Sequence, residues 1–148
     1  MSANETGTLI ICERSSRWAD SLRRHKLCDE LRLIETRTLA ETEERLSEAP
    51  SALVGLELTA ATIGSVAEWI SRRPANIRAK AIFVCAQRGL RDYELLCREA
   101  GAVHFVDSEL ELFALAAMFD RYLSDPAFAK LNAAELPLEE RIRVSLPW

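Results

Sequence analysis

Residues 8–12, TLIIC, are followed at once by Glu13-Arg14, and this short stretch guides the interpretation of the whole sequence. Its three consecutive aliphatic residues leave no polar face, and polar residues bound the run on both sides. Such a run is typical of a strand buried on both faces, as in a parallel sheet covered by helices. We therefore predict a buried strand over residues 8–12 that ends before Glu13.

Similar runs return four more times, and each is followed by a segment with helical spacing. The later strands are predicted over residues 31–36, 52–58, 81–85 and 103–106. Helix starts are predicted at Ser15 or Ser16, at Thr38 with Glu41, at Thr59 or Thr62, after Leu90, and at Ser108 with Glu111. The Thr38–Glu41 and Ser108–Glu111 pairs have the spacing of a capping box. Helix ends are predicted near residue 26, at Pro50, Pro74 and Gly101, and at Asp125-Pro126.

This order, strand then helix five times over, predicts an α/β fold with a five-stranded parallel sheet and helices on both faces. Right-handed crossovers favour the flavodoxin-like strand order 2-1-3-4-5. In such a sheet the functional site lies beyond the carboxyl ends of the strands, near the switch between strands 1 and 3. The candidate site residues are Cys12, Glu13, Leu56, Glu57, Cys85 and Ala86.

The amino-acid composition of the chain limits the classes of function that it can have. The chain has 148 residues, with 49% hydrophobic and 28% charged residues, which is ordinary for one globular domain. Its net charge of −4 does not indicate a nucleic-acid partner. No apolar run reaches the roughly 20 residues of a membrane span, and residues 1–7 lack the features of a secretion signal. We expect a cytoplasmic protein.

The four cysteines, Cys12, Cys28, Cys85 and Cys97, have no C-x-x-C spacing. Cys12 and Cys85 would lie two strand spacings apart in the predicted sheet, about 9.5 Å, which is too far for a disulfide. We expect buried free thiols rather than a redox pair.

Residues 99–106, EAGAVHFV, introduce the fifth predicted strand in a way that resembles the receiver domain of two-component response regulators. Together with the element order, the resemblance covers residues 8–124 and leaves residues 125–148 as a C-terminal extension. It implies a site with two acidic residues after strand 1, a phosphoacceptor Asp on strand 3, a Ser or Thr after strand 4 and a Lys after strand 5.

This sequence departs from that pattern at most of these positions. The acidic pair falls on Cys12-Glu13 or on Glu13-Arg14, and the acceptor falls on Glu57 or Leu56. The hydroxyl position falls on Cys85 or Ala86, and the Lys position on Ser108. We therefore predict a pseudo-receiver that has lost phosphotransfer and uses no metal or cofactor.

The role of Glu57 stays open at this point. Its carboxylate could mimic a phosphorylated Asp and hold one conformation, or it could pair with a nearby cation such as Arg14 or Arg88. The first alternative gives the residue a regulatory role, and the second makes it an ordinary structural charge.

The last predicted helix is apolar over more than one face, which exceeds what a helix covering a sheet needs. In receivers the fourth helix, fifth strand and last helix often bind partners or dimerise. We predict a protein partner, or a second copy, bound by the last helix and the tail. The predicted contact residues are Leu112, Phe113, Phe119, Tyr122 and Trp148. Alternatively, residues 125–148 fold back and cover the surplus apolar surface.

The leading functional prediction is a phosphorylation-independent regulatory module that binds proteins. One alternative is a flavodoxin-like small-ligand binder or enzyme that uses the crevice at the strand ends. Another is a structural subunit of a larger assembly. No Gly-rich phosphate loop or nucleophile elbow supports an enzyme.

Overall fold

A computed structural model describes residues 7–25, 31–49, 51–72 and 81–124, with the backbone alone at residues 81 and 122–124. Five strands alternate with five helices. The strands are β1 (Thr8–Cys12), β2 (Arg32–Thr36), β3 (Leu53–Leu58), β4 (Ala81–Ala86) and β5 (His104–Val106). The helices are α1 (Arg17–Arg24), α2 (Leu39–Glu48), α3 (Ile63–Ser71), α4 (Glu94–Ala100) and α5 (Leu112–Ser124). Short 3-10 turns at Arg91–Tyr93 and Glu109–Glu111 precede α4 and α5.

The strands form one parallel sheet in the order β2-β1-β3-β4-β5, which confirms the predicted α/β topology. In the register, Cys12 lies opposite Leu56, and Glu57 lies opposite Cys85. All strand ends therefore meet at one edge of the sheet, where the candidate residues were expected.

Each face of the sheet has its own apolar cluster. One cluster joins β-strand side chains to α2, α3 and α4 through Leu46, Val66, Trp69 and Cys97. The other joins them to α1 and α5 through Trp18, Leu22, Leu115 and Phe119. Because side chains alternate along a strand, consecutive residues of the same strand enter different clusters.

A capping side chain explains the start of α2, and a glycine explains the end of α4. Thr38 caps α2, since its side chain accepts a hydrogen bond from the amide of Glu41 at 3.0 Å. The Glu41 carboxylate reaches back to the amide of Arg37 at 2.7 Å, one residue earlier than in a standard capping box. Gly101 ends α4 with a φ of 134°, a backbone conformation that favours glycine.

The structure places α1 directly after Ser16, as predicted, and corrects the side-chain caps expected at Ser16 and Ser108. Ser16 occupies the N-cap position of α1 but makes no side-chain cap there, and its hydroxyl instead donates to Glu35 at 2.8 Å. Ser108 accepts from the amide of Leu110 at 3.1 Å and so begins a 3-10 turn rather than α5 itself. At α1 the Glu13 carboxylate accepts the helix amides in place of the hydroxyl, whereas the amide of Glu111 donates to the backbone carbonyl of Ser108 at 3.0 Å.

The predicted contact surface on the last helix also needs correction. Leu112 and Phe119 are 0% and 2% exposed and pack in the core between α5 and the sheet, so neither can serve as a surface anchor. Phe113 is 60% exposed, as predicted for a contact residue. The Tyr122 side chain, Trp148 and Cys28 lie outside the described residues. Apolar character on the inner side of α5 is core, because the Phe119 ring packs 5.5 Å from that of Phe83.

Gly55 in β3 gives a test of this close packing. An added Cβ would lie 2.5 Å from Cζ of Phe83 and 2.8 Å from Cδ1 of Ile11. We expect Gly55→Ala to lower the free energy of unfolding by about 1–3 kcal/mol because the core must shift to accept the methyl group. Urea unfolding measures the change.

Gly64 in α3 is the matched control, since a Cβ there would meet no atom within 4 Å. Gly64→Ala should be neutral or stabilising by up to about 1 kcal/mol, because alanine favours a helix. Equal effects of the two substitutions would contradict the described packing of β3.

Candidate functional site

The carboxyl ends of β1, β3 and β4 bring three of the predicted site residues onto one side of the sheet. Cys12 and Leu56 enter the α2–α4 cluster, so Glu13 and Glu57, the next residues along, turn to the α1 and α5 side. Cys85 lies opposite Glu57 and belongs to the α1–α5 cluster. Glu13, Glu57 and Cys85 therefore share a face, whereas Leu56 and Ala86 belong to the other cluster.

Glu13 is the most constrained residue of this group. Its carboxylate is 2% exposed and accepts hydrogen bonds from the amides of Trp18 and Ala19, at 3.0 and 2.9 Å. These amides belong to the first turn of α1, which leaves such donors without partners inside the helix. Glu13 thus performs the capping role that the sequence assigned to Ser15 or Ser16.

Burial opposes the charge of this carboxylate. It raises the pKa of Glu13 above the usual value, although the amides of Trp18 and Ala19 act in the opposite direction. The neighbouring carboxylates of Glu57 and Glu35 add to the increase in the pKa of Glu13. With both oxygens already bound to helix amides, Glu13 has little capacity left to hold a cation.

Glu57 is half-buried and pairs with main chain rather than with a cation. Its Oε1 accepts a hydrogen bond from the amide of Arg14 at 3.1 Å. Over the described residues no arginine side chain lies within ion-pair distance of Glu57, so the predicted pairing with the Arg14 or Arg88 guanidinium is absent there. One backbone amide thus links β3 to the loop that follows β1.

The thiols near the site do not face each other. Cys12 enters the α2–α4 cluster and Cys85 enters the α1–α5 cluster, on opposite sides of the sheet. Both are buried and free. Burial raises the pKa of Cys85 well above its usual value, so this thiol stays protonated and unreactive.

Ser108 marks the place where the receiver pattern has a Lys, and its surroundings hold a different ion-pair network. Arg91, before α4, donates from Nη2 to Asp107 and to Glu111, both at 2.7 Å, and from Nη1 to Glu94 at 3.1 Å. Its guanidinium also lies 5.3 Å from the ring centroid of Phe105. Arg91 therefore connects the loop after β4 to the loop after β5.

A second contact ties the same loop to α1. Glu109 accepts a short hydrogen bond from the Ser21 hydroxyl, and its other oxygen lies 3.9 Å from Nε of Arg17. In the receiver pattern a Pro occupies the position of Glu109. Together, Arg91 and Glu109 join the loops after β4 and β5 to each other and to α1 by side chains of this chain alone.

The β1–α1 loop is held from its other side by Arg37. Its Nη1 donates to the carbonyl oxygens of Glu13 and Ser15 at 3.2 and 3.4 Å, and its Nη2 lies 3.4 Å from Oε1 of Glu35. The hydrogen bond from Arg23 lowers the pKa of Glu35. The sequence did not predict the roles of Arg37 and Arg91, because neither belongs to a motif and the partners that make them link two loops lie 16 to 24 positions away.

A pocket of about 260 Å³ opens between the ends of β1 and β3 and the starts of α2 and α3. Apolar side chains of Cys12, Leu39, Leu56 and Val66 line it together with polar ones. Within the part of the chain that the structure describes, no three His, Cys, Asp or Glu side chains converge as a metal site requires. None of the described helices is long and apolar enough to cross a membrane.

Replacing Glu13 tests its role at the start of α1. Gln keeps the size but offers one acceptor and an N–H donor where two helix amides point, so one amide loses its partner. We expect Glu13→Gln to lower the free energy of unfolding at neutral pH by about 1–2 kcal/mol. Glu44→Gln, at an exposed position of α2 whose side chain has no partner among the described residues, should stay within about 0.5 kcal/mol.

The pH dependence of the same comparison has a definite sign. A carboxyl group with a raised pKa in the folded state stabilises the fold below its unfolded pKa, about 4.3, and loses that contribution as pH rises through the folded pKa. Gln does not titrate. The difference in unfolding free energy between wild type and Glu13→Gln should therefore be larger near pH 4 than near pH 7, and a difference that grows with pH would contradict the burial argument.

Comparisons with known proteins agree with the topology. A response regulator from Thermotoga maritima superposes with a TM-score of 0.65 at 16% identity, over 81% of this chain and 99% of that one. An orphan response regulator of H. pylori gives a TM-score of 0.55 at 16% identity, over 80% of this chain and 98% of that one. No family model and no curated protein matches the sequence. The chain therefore has the receiver fold of response regulators, which confirms at the level of fold the resemblance seen in the sequence.

Proposed function

We propose that this chain is a regulatory module that binds proteins through a receiver fold and works without accepting a phosphoryl group. The observation that carries the proposal is the state of Glu13. It is the one carboxylate directly after β1, and both of its oxygens are bound to the amides of α1 in a buried position. A magnesium ion needs accessible oxygen ligands, whereas both oxygens of Glu13 are already hydrogen-bonded in a residue that is 2% exposed.

The residues that would handle a phosphoryl group also have the wrong chemistry. Glu57 is longer than the expected Asp, and Ser108 carries no charge where a Lys would neutralise the phosphoryl group. The adjacent Asp107 carries negative charge and is already bound to Arg91. At about 4 Å and an effective dielectric near 20, two unit charges interact with roughly 4 kcal/mol. Replacing the Lys of the receiver pattern by an uncharged Ser beside an acidic residue therefore strongly disfavours binding of a phosphoryl group.

Direct contacts replace the links that a phosphoryl group would supply. In the receiver pattern, groups after strands 4 and 5 both contact that group. Here Arg91 binds Asp107 directly, and Glu109 reaches α1 through Ser21 and Arg17. These contacts favour a single arrangement of the loops whether or not a phosphodonor is present.

Exposed apolar side chains supply surface for a protein partner. Leu110 and Phe113, near the start of α5, are 86% and 60% exposed, and Leu95 on α4 is 67% exposed. Single exposed apolar residues are common, whereas contiguous apolar patches favour protein contacts, and Leu110 and Phe113, three positions apart, are the candidates for such a patch. A role in bacterial signalling, a cytoplasmic location and the absence of catalysis belong to this proposal as well.

Amide NMR of the full chain, titrated with Mg²⁺ and then with beryllofluoride as a phosphoryl mimic, tests the proposal. We expect no saturable shifts at Glu13, Glu57 or Cys85, since the first is bound to α1 and the third is buried. Saturable shifts in that group that Glu57→Gln abolishes would show a working phosphoryl site and overturn the proposal.

A second candidate, a small-ligand binder, is favoured by one observation. The pocket of about 260 Å³ lies beside the switch between β1 and β3, where this topology places ligand sites. Shifts confined to its lining at Leu39 and Val66 on addition of a small molecule, with none at Phe113, would favour this candidate over a protein-binding module.

A further inference from the structure

The outer face of α4 carries a pattern of leucines and acids that goes beyond Leu95, the single exposed leucine of this helix that the proposed function uses. Asp92, Leu95, Leu96 and Glu99 follow each other at the spacing i, i+3, i+4, i+7, so they lie along one side of the helix and its preceding turn. Leu95 is 67% exposed and Leu96 is 43% exposed. We call these four residues the acidic leucine face.

The two acids of this face differ from the others nearby. Glu94 binds Arg91 and Arg98, at 3.1 and 2.9 Å, and the hydrogen bond from Arg98 lowers the pKa of its carboxyl group. Asp92 and Glu99 are exposed, and no cation among the described residues lies within ion-pair distance of either. The face thus offers two adjacent leucines between two unneutralised carboxylates.

The two leucines between two carboxylates determine which kind of peptide or protein would bind this face. Covering the leucines removes apolar surface from water, and an occupant that carries cations beside its apolar residues also neutralises both acids. A second copy of the same face does not fit. A two-fold interface pairs identical patches, so it would bring four carboxylates together.

The C-terminal segment of the chain has the required chemistry. Residues 141–148, RIRVSLPW, contain two arginines, two β-branched apolar residues, a leucine and a tryptophan. The segment has no acidic side chain.

The segment can also reach the face within one molecule. Sixteen residues lie between Ser124, at the end of α5, and Arg141, and the seventeen Cα-to-Cα steps between these two residues can span up to about 56 Å. A folded domain of this length has a radius of gyration of about 15 Å. A tether of this kind gives the segment a high effective concentration, so a weak contact suffices.

We propose that residues 141–148 dock in cis on the acidic leucine face of α4, with Arg141 and Arg143 beside Asp92 and Glu99. The docked segment withholds Leu95 and Leu96 from other proteins. This regulatory consequence rests on the proposed function, whereas the docking itself does not require it. A partner with a more basic or more apolar segment would displace the tail and gain the face.

Charge reversal in the full-length chain tests the docking by amide NMR. In Arg141→Glu/Arg143→Glu, we expect the amide signals of residues 92–99 to shift and the indole signal of Trp148 to move to its solvent-exposed position. The matched control is Glu139→Gln/Glu140→Gln, which alters neighbouring tail charges and should leave residues 92–99 unshifted. Phe113→Ser, at an exposed residue of α5 that contacts His25, should also leave them unshifted.

A charge swap strengthens the test. Adding Asp92→Arg/Glu99→Arg to the charge-reversed tail makes the two surfaces complementary again. The Trp148 indole signal should then return most of the way to its wild-type position. All these positions are exposed or lie in the tail, and signals of the core residue Phe83 report whether each variant is folded.

Two outcomes overturn the proposal. Unchanged signals at residues 92–99 in the reversed variant mean that the segment does not dock on α4. Shifts that depend on protein concentration, with a doubled mass in solution, mean that a second copy is the occupant. Neither result bears on phosphoryl chemistry, because no metal, phosphodonor or partner is added, so this proposal and the proposed function fail independently.

Discussion

The Glu13 carboxylate, bound to the amides of Trp18 and Ala19, is the contact on which the carboxyl edge of this sheet depends. A buried carboxylate is costly unless its oxygens are satisfied, and the exposed amides of a helix start satisfy them with little strain. That pairing sets where α1 begins, and it directs Trp18 and Leu22 into the core against the sheet. The same pairing removes from the site the only acid directly after β1.

Ion pairs and hydrogen bonds also connect the other loops at this edge of the sheet. Arg91 binds acids on both sides of β5, and Glu109 binds α1 through Ser21. Single exposed ion pairs contribute little stability, about 0–1 kcal/mol, but a cation shared by three carboxylates has fewer alternative arrangements. At this edge of the sheet, side chains of the described residues therefore connect the loops after β4 and β5 to each other and to α1.

The sequence predicted the parts of this fold that local chemistry determines. The buried runs at TLIIC and AIFVC mark central strands because no polar face remains, and Gly101 ends α4 because its positive φ suits glycine. Long-range partners were not predictable in this way. A carboxylate 43 positions from its amide donor, as for Glu57 and Arg14, leaves no local pattern, and neither does the core position of Leu112, which depends on how α5 rotates against the sheet.

Relaxation dispersion NMR on the unmodified full chain tests most directly whether the carboxyl edge is closed from within. If Arg91 and Glu109 hold the loops in one arrangement, the amides of residues 87–90 and 107–109 should show flat dispersion profiles that acetyl phosphate and Mg²⁺ leave unchanged. Microsecond-to-millisecond exchange in both loops, with a minor state that the phosphodonor makes dominant, would contradict this account and show a receiver that still switches.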